Sequence, residues 1–325
     1  MSKILLYHGV TDWKKEPRDG TFLNYNGKHI DLFEFERQME WLSKNKRVVK
    51  LTDWIQYRPK DDVAITFDDS YENLYKNAVP VLKKYNLPAT FFISTGFVDD
   101  LKWAQGRFEK PFPTNRFYWT DFIDYFVNYS NEEKAKLEVY GKEYNLKNDE
   151  GKIHFVEDTK EYLKNCSPKK RDEFLNMFKR EFEAFGFDAQ YEYPDIQNLN
   201  WEQIKEIDEN PLFDIGGHTH NHEIMSYLSD AELANEIGTC LETLEEKLDR
   251  KISLFSYPEG QKKHYNKKVI QFLQDSNIVI CPSAIPGDNN SELDNFNLKR
   301  IMVGFNEIPF PFEEYYDEIN SWNRI

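Results

Sequence analysis

Short apolar runs alternate along the chain with longer segments whose apolar residues recur every three or four positions. The first run, Ile4 to Tyr7, predicts a strand that places His8 at its C-terminal end. Residues 11–30 are polar and read as irregular. Asp31 with Glu34 has the form of a capping box, and Phe35, Met39 and Leu42 follow at helical spacing. Val48 to Leu51 predicts a short strand, and Ile65 to Phe67 predicts another that delivers Asp68 and Asp69 past its end. Pro80 suits the first turn of a helix carrying Val81, Leu82 and Tyr85. Pro88 to Ile93 then reads as a buried strand closed by Ser94-Thr95-Gly96.

The rhythm breaks between about Leu101 and Asn198, where no βα repeat is visible. Residues 170–185 predict an amphipathic helix with Phe174, Phe178, Phe182 and Phe185 on one face. The span 101–198 therefore reads as a mostly helical insertion, its aromatic stripe packing against the main domain. Alternation returns at Asn200, the expected cap of a helix carrying Ile204 and Ile207. Phe213-Asp214-Ile215 predicts a strand ended by Gly216-Gly217. Ser229 and Glu232 form a second capping box ahead of Leu233, Ile237, Leu241, Leu244 and Leu248. Ile252–Phe255 and Ile278–Cys281 read as strands, Lys267–Leu273 as a helix, and Pro309–Ile325 as a last short helix. Strands alternating with helices predict a mostly parallel sheet or barrel, whose sites gather at the C-terminal strand ends.

Composition narrows the picture little. The 325 residues carry 57 acidic against 42 basic side chains, net −15, without a basic stripe, which argues against a nucleic-acid partner. No run approaches the roughly 20 apolar residues that a membrane span needs. Three scattered cysteines, Cys166, Cys240 and Cys281, fit free thiols in a reducing compartment. With no secretory leader visible, the expected location is cytoplasmic.

Two stretches carry chemistry. Asp68-Asp69 is a carboxylate pair at the end of an apolar strand, where a second like charge raises the cost of ionising the first. The bland alternative is a solvated turn. Downstream, His218, His220 and His222 fall within five residues directly after a strand. Zinc accepts imidazole nitrogen and carboxylate oxygen, and catalytic zinc keeps three protein ligands. His218 and His222 supply two, and Asp69 would supply the third. A polar loop of backbone-bonded histidines is the alternative. His220 should point differently from its neighbours and is read as a cleft residue.

These residues resemble the polysaccharide deacetylases, which share the NodB-like chitooligosaccharide deacetylase domain. The first motif of that family, TFDD followed by Gly, stands here as Thr66-Phe67-Asp68-Asp69-Ser70. The second, H-[ST]-x-x-H, stands as His218-Thr219-His220-Asn221-His222. Tyr7-His8, Leu87-Pro88-Ala89-Thr90-Phe91-Phe92 and Phe255-Ser256-Tyr257-Pro258-Glu259-Gly260 also match. The resemblance covers most of residues 1–100 and 200–305 and omits the insertion. It implies a single domain with a distorted (β/α) barrel and metal-dependent hydrolysis of an acetyl group on a sugar. Asp68 is then the general base, and Asp69, His218 and His222 bind the metal, zinc or another divalent transition ion. The backbone N–H of Glu259 becomes the oxyanion donor.

Three departures stand out. Ser70 replaces a glycine, a change that a flexible turn could absorb. Ser256 replaces the arginine with which many members orient the catalytic aspartate, and Arg300 is the candidate substitute. The late histidine that protonates the leaving amine is absent, which leaves His8 and His264 as candidates. The expected substrate is an acetamido sugar, either a nucleotide- or lipid-linked sugar or an oligosaccharide. An O-deacetylase or non-sugar amide hydrolase on the same site, and a catalytically weak glycan-binding module, are the competing readings.

Overall fold

The structure, a computed structural model, describes residues 2–14, 24–57, 61–98, 118–129, 133–183, 197–290, 294–304 and 309–322. Its centre is a parallel sheet of five strands. These are β1 (Lys3–Tyr7), β4 (Val63–Phe67), β5 (Ala89–Ile93), β8 (Phe213–Gly217) and β9 (Ile301–Met302), in the order β8-β5-β4-β1-β9. All five residues of β4 and of β5 are buried, as expected of parallel strands covered on both faces. Phe67 and Phe91 stack across the two strands at 4.8 Å. Burying each ring contributes about 2–3 kcal/mol, which helps offset the cost of the charges at the strand ends.

Beyond β8 the sheet continues through single parallel bridges, Gly217 to Phe255 and Leu254 to Ile280. The strands expected at 252–255 and 278–281 are thus reduced to isolated pairings. Residues 281–285 then bond back to 295–300, through Cys281 N to Asn295 O, Ser283 N to Leu298 O and Arg300 N to Ile285 O. Those contacts lead into β9 and close the ring, so the architecture is the expected distorted (β/α) barrel.

Local signals explain the outer helices. Asp31 caps α1 (Leu32–Asn45) by accepting from Phe33 N and Glu34 N. Glu34 instead takes the Gln38 amide and the Tyr315 hydroxyl, so only half of the expected capping box forms. Val48 makes one bridge to Val63, and the chain then enters α2 (Leu51–Tyr57), so the strand expected at 48–51 is absent. A π-helical turn, Leu74–Ala78, precedes α3 (Val79–Lys84), which carries Pro80 in its first turn. Full capping boxes open α7 (Trp201–Asp208) at Asn200 and α8 (Asp230–Leu248) at Ser229. The last helices are α9 (Lys267–Asp275) and α10 (Glu313–Trp322).

Two regions differ from expectation. At the two ends of the stretch read as irregular, β2 (Gly9–Thr11) pairs in parallel with β3 (His29–Asp31). Asn73 Oδ1 accepts from Val10 N and Asn77 Nδ2 donates to Val10 O, which holds that pair. The insertion also contains more than helices. Between α4 (Trp119–Tyr129) and α5 (Asp149–Lys164) lies an antiparallel hairpin, β6 (Lys134–Leu137) and β7 (Lys142–Asn145), and α6 (Pro168–Glu183) follows. These elements bury their own core of Ile123, Val127, Leu137, Tyr144, Leu146, Phe155, Val156 and Leu163. Phe174 joins that core and not the main domain, while the side chains of Phe178, Phe182 and Phe185 lie outside the described residues.

Candidate active site

Three parallel strands aim their C-terminal ends at one point. β1 delivers His8, β4 delivers Asp68 and Asp69, and β8 delivers His218. Backbone bonds fix the offset, with Asp68 N donating to Tyr7 O at 3.0 Å and His218 N to Ile93 O at 2.9 Å. β8 extends through both glycines instead of stopping before them, and packing explains why. A Cβ on Gly216 would stand 2.7 Å from the Phe92 ring and 2.8 Å from Leu254 O. One on Gly217 would stand 2.6 Å from the Phe255 ring.

Ser70 is a fastening and not a change absorbed by a flexible turn. Its hydroxyl accepts from Ser94 N at 3.1 Å, and its N–H donates to the Tyr118 hydroxyl at 3.0 Å. Ser94 Oγ in turn donates to His218 O at 2.9 Å, so the ends of β4, β5 and β8 are tied in series.

Asp68 is 4 % exposed and Arg300 fully buried. The guanidinium grips the carboxylate in parallel, Nη1 on Oδ1 and Nη2 on Oδ2, both at 2.7 Å. Its Nε is held by Ser283 O at 2.7 Å. Burial pushes the Asp68 pKa up, but Arg300 and then His218 outweigh it and hold the group below its ordinary value. Ser256 donates its hydroxyl to Asp68 Oδ1 at 3.2 Å, so serine and Arg300 together occupy the role of an orienting arginine.

Ser256 also sets the histidine. His218 Nδ1 lies 2.9 Å from Ser256 O and 2.6 Å from Ser256 Oγ. The carbonyl can only accept, which assigns the proton to Nδ1 and leaves the Nε2 lone pair facing inward. That nitrogen is 3.9 Å from Asp69 Oδ1, and His222 Nε2 is 3.4 Å from the same oxygen. Burial lowers the His222 pKa to about 4 against the pull of Asp69, so its ring is neutral and able to ligate.

Asp69 Oδ1 is buried and has no hydrogen-bond partner. Its partners in space are the two imidazole nitrogens, and the three candidate ligand atoms lie within 4.8 Å of one another. A tetrahedral ion with bonds of about 2.0–2.1 Å keeps its ligands about 3.3 Å apart. The donor set, the orphaned oxygen and the spacing therefore fit a divalent metal.

The backbone around this centre is strained. Asp69, Thr219, His222 and Glu259 all have φ between 56° and 70°, a left-handed conformation that costs non-glycine residues energy. Four of the eight such residues described belong to the site. The surrounding network holds them there.

Much of that network comes from residues the sequence reading passed over. Lys28, just before β3, places Nζ 3.1 Å from Asp69 Oδ2 and 3.5 Å from Asp121 Oδ1 on α4. It also donates to the Tyr71 hydroxyl, which donates to Asp121. Burial works against the ammonium, but Asp121 and Asp69 outweigh it and raise the Lys28 pKa. Tyr118 packs its ring edge-on to His222 at 5.1 Å. Arg171 on α6 makes a buried two-point ion pair with Glu223, the residue after His222. Lys164, ending α5, holds Glu259 at 2.7 Å. Burial pushes the Glu259 carboxyl up, but Lys164 more than reverses it, leaving the pKa at about 2. No local signal marks these partners, which resemble ordinary surface charges in the sequence.

The remaining candidates separate. His8 lies close enough to Asp69 and Asp68 to feel both charges, yet burial lowers its pKa to about 4. His264 sits beside Glu259, with Nδ1 accepting from Gln261 N at 3.2 Å and its pKa lowered by burial. His220 turns aside to Thr95 Oγ1 at 2.9 Å and does not join the triad.

A barrel with an Asp-His-His centre and a separate aspartate at its strand ends defines a metal-site hydrolase architecture. The family model for polysaccharide deacetylases matches residues 56–110 and 158–280, and the chain belongs to that family. Two parts of the expected insertion, 101–110 and 158–198, fall inside the match. Among curated relatives, the poly-beta-1,6-N-acetyl-D-glucosamine N-deacetylase of Staphylococcus aureus strain MSSA476 is 44% identical over 73 residues, 21% of this chain and 25% of that protein. The protein of the same name from Staphylococcus epidermidis is 38% identical over 106 residues, 29% of this chain and 36% of that one. The matches thus span about a quarter to a third of those relatives. The Streptococcus pyogenes deacetylase PplD, solved in complex with acetate, superposes with a TM-score of 0.56 at 16% identity, covering 97% of this chain and 96% of that one. IcaB from Ammonifex degensii superposes with a TM-score of 0.53 at 18% identity, covering 100% and 97%. These likenesses show the NodB-like fold over the full length.

Proposed function

We propose that the protein hydrolyses the N-acetyl group of an acetamido sugar within a glycan, using one zinc ion held by Asp69, His218 and His222. The observation that carries this reading is a buried, unpartnered Asp69 oxygen facing the Nε2 atoms of two histidines, beside a second carboxylate that Arg300 keeps ionised. A scaffold would gain nothing from leaving that oxygen bare. A divalent ion there supplies Lewis acidity, polarising the acetyl carbonyl and making the attacking water acidic. Two imidazole nitrogens and one carboxylate oxygen suit zinc with a position left open.

The chain's own residues supply the rest. Asp68, outside the triad, takes the proton of the attacking water. The backbone N–H of Glu259, set by its left-handed turn, donates to the oxyanion. As the C–N bond breaks, the leaving nitrogen needs a proton. His8 and His264 are both held neutral by burial, so the proton collected by Asp68 is the one at hand. Acetate and a free amino sugar result.

The named relatives favour a β-1,6-linked N-acetylglucosamine chain over a small activated sugar. The test is acetate release by zinc-loaded protein from β-1,6-linked N-acetylglucosamine oligomers, free and nucleotide-linked N-acetylglucosamine, and an O-acetylated sugar. Release from the oligomers, lost in Asp68→Asn by a factor of about 10²–10⁴, supports the proposal. Preference for the O-acetyl sugar would move the assignment to an O-deacetylase. No release from any substrate by metal-replete protein would leave a binding module.

A further inference from the structure

Asp69 has two oxygens with different surroundings. Oδ1 is bare and faces the histidines, while Oδ2 is 3.1 Å from the Lys28 ammonium. Lys28 is half-buried and held by Asp121 at 3.5 Å, the Tyr71 hydroxyl, and the Tyr71 and Tyr118 rings at 4.7 and 5.4 Å. These contacts oppose its displacement when a metal enters.

We propose that Lys28 is a positioning residue that tunes the metal through Asp69. It pins Oδ2, so that Asp69 offers Oδ1 alone, and it draws electron density from the carboxylate. A carboxylate shared with an ammonium is a weaker donor, so the ion binds less tightly but stays more electrophilic toward the acetyl carbonyl. Lys28 thus exchanges metal affinity for reactivity. Asp121, contributed by the insertion, divides the lysine's charge between two carboxylates and moderates the effect. The inference rests on the metal triad of the proposed function and adds a residue to it.

Its signature is an opposition that a merely structural lysine would not produce. Lys28→Met should bind Zn²⁺ and Co²⁺ about tenfold more tightly in chelator competition, while turnover falls. The Co²⁺ absorption bands should shift as Asp69 becomes free to use both oxygens. Lys28→Arg, which keeps the charge, should stay within about threefold of the parent in affinity. Asp121→Asn should bind metal several-fold more weakly, because the lysine's charge then falls on Asp69 alone and a nearby anion is lost. Unchanged or weaker metal binding by folded Lys28→Met overturns the inference. If that variant does not fold, Asp121→Asn decides, and unchanged or tighter binding there overturns it. Affinity is read without substrate, so a parent that binds metal but releases no acetate refutes the deacetylase reading and leaves this one standing.

Discussion

Replacing Arg300 by methionine removes the only guanidinium on Asp68 among the described residues and leaves the carboxylate buried. Each of its two hydrogen bonds is 2.7 Å long. Charge centres about 4 Å apart attract by about 4 kcal/mol at the effective dielectric of protein sites. At about 1.4 kcal/mol per pKa unit, losing that attraction raises Asp68 by at most about three units. Ser256 still donates to Oδ1, so a rise of about two units is expected. The parent carboxyl is held below its ordinary value, so the acidic limb of kcat/KM should lie about two units higher in the variant than in the parent. At a pH one unit below its own limb, Arg300→Met then loses about tenfold more activity than it does at about pH 8.5, where Asp68 is ionised again. Arg300→Lys keeps the charge but not the parallel grip, and its limb should stay within about one unit. The assay is acetate release across pH on protein whose thermal melt shows it folded, because breaking a buried pair costs about 3–5 kcal/mol. Equal loss at every pH in folded Arg300→Met would refute the idea that Arg300 sets the charge of Asp68.

Two further changes probe the frame of the site. Glu259 is held at about 2, below its ordinary 4.5, so its stabilisation is present above about pH 4.5 and lost as pH falls toward 2. Lys164→Met removes the main cause, so the acid-unfolding midpoint followed by circular dichroism should move to higher pH. An unmoved midpoint means that the pair does not hold the 259 turn. Gly216→Ala forces a methyl against Leu254 O, a backbone atom that cannot give way locally. It should cost about 1–3 kcal/mol in thermal unfolding and weaken zinc binding, because His218 follows two residues later. A neutral result would place the strands further apart than described.

The sequence announced those parts of the molecule whose signals are local. β1, β4, β5 and β8 are apolar runs, and Asn200 and Ser229 cap their helices as their side chains suggest. Asp69, His218 and His222 were legible because zinc chemistry restricts residue type, and the structure brings them together. Arg300 entered only as the candidate substitute for the family's orienting arginine, and its buried grip on Asp68 bears that out. What remained hidden depends on distant partners. β2 and β3 are three residues each and are fastened by the Asn73 and Asn77 side chains. Lys28 sits in a polar stretch, and only Asp69 and Asp121 reveal why it is drawn inward. Ser256 reads as a loss beside the family pattern, yet its hydroxyl and carbonyl serve both Asp68 and His218.

The insertion has its own core, but its charges do not stay at home. Asp121 meets Lys28, Lys164 meets Glu259, and Arg171 meets Glu223, so each partner lies on or beside a loop of the catalytic centre. The two parts are therefore not interchangeable modules. A chimera that grafts the barrel motifs of this chain onto a relative with a different insertion would carry the ligands over but lose the countercharges that hold them. Over evolutionary time, a charge reversal on one side of any pair calls for its mate to reverse, and a swap of the insertion calls for all three pairs to change together.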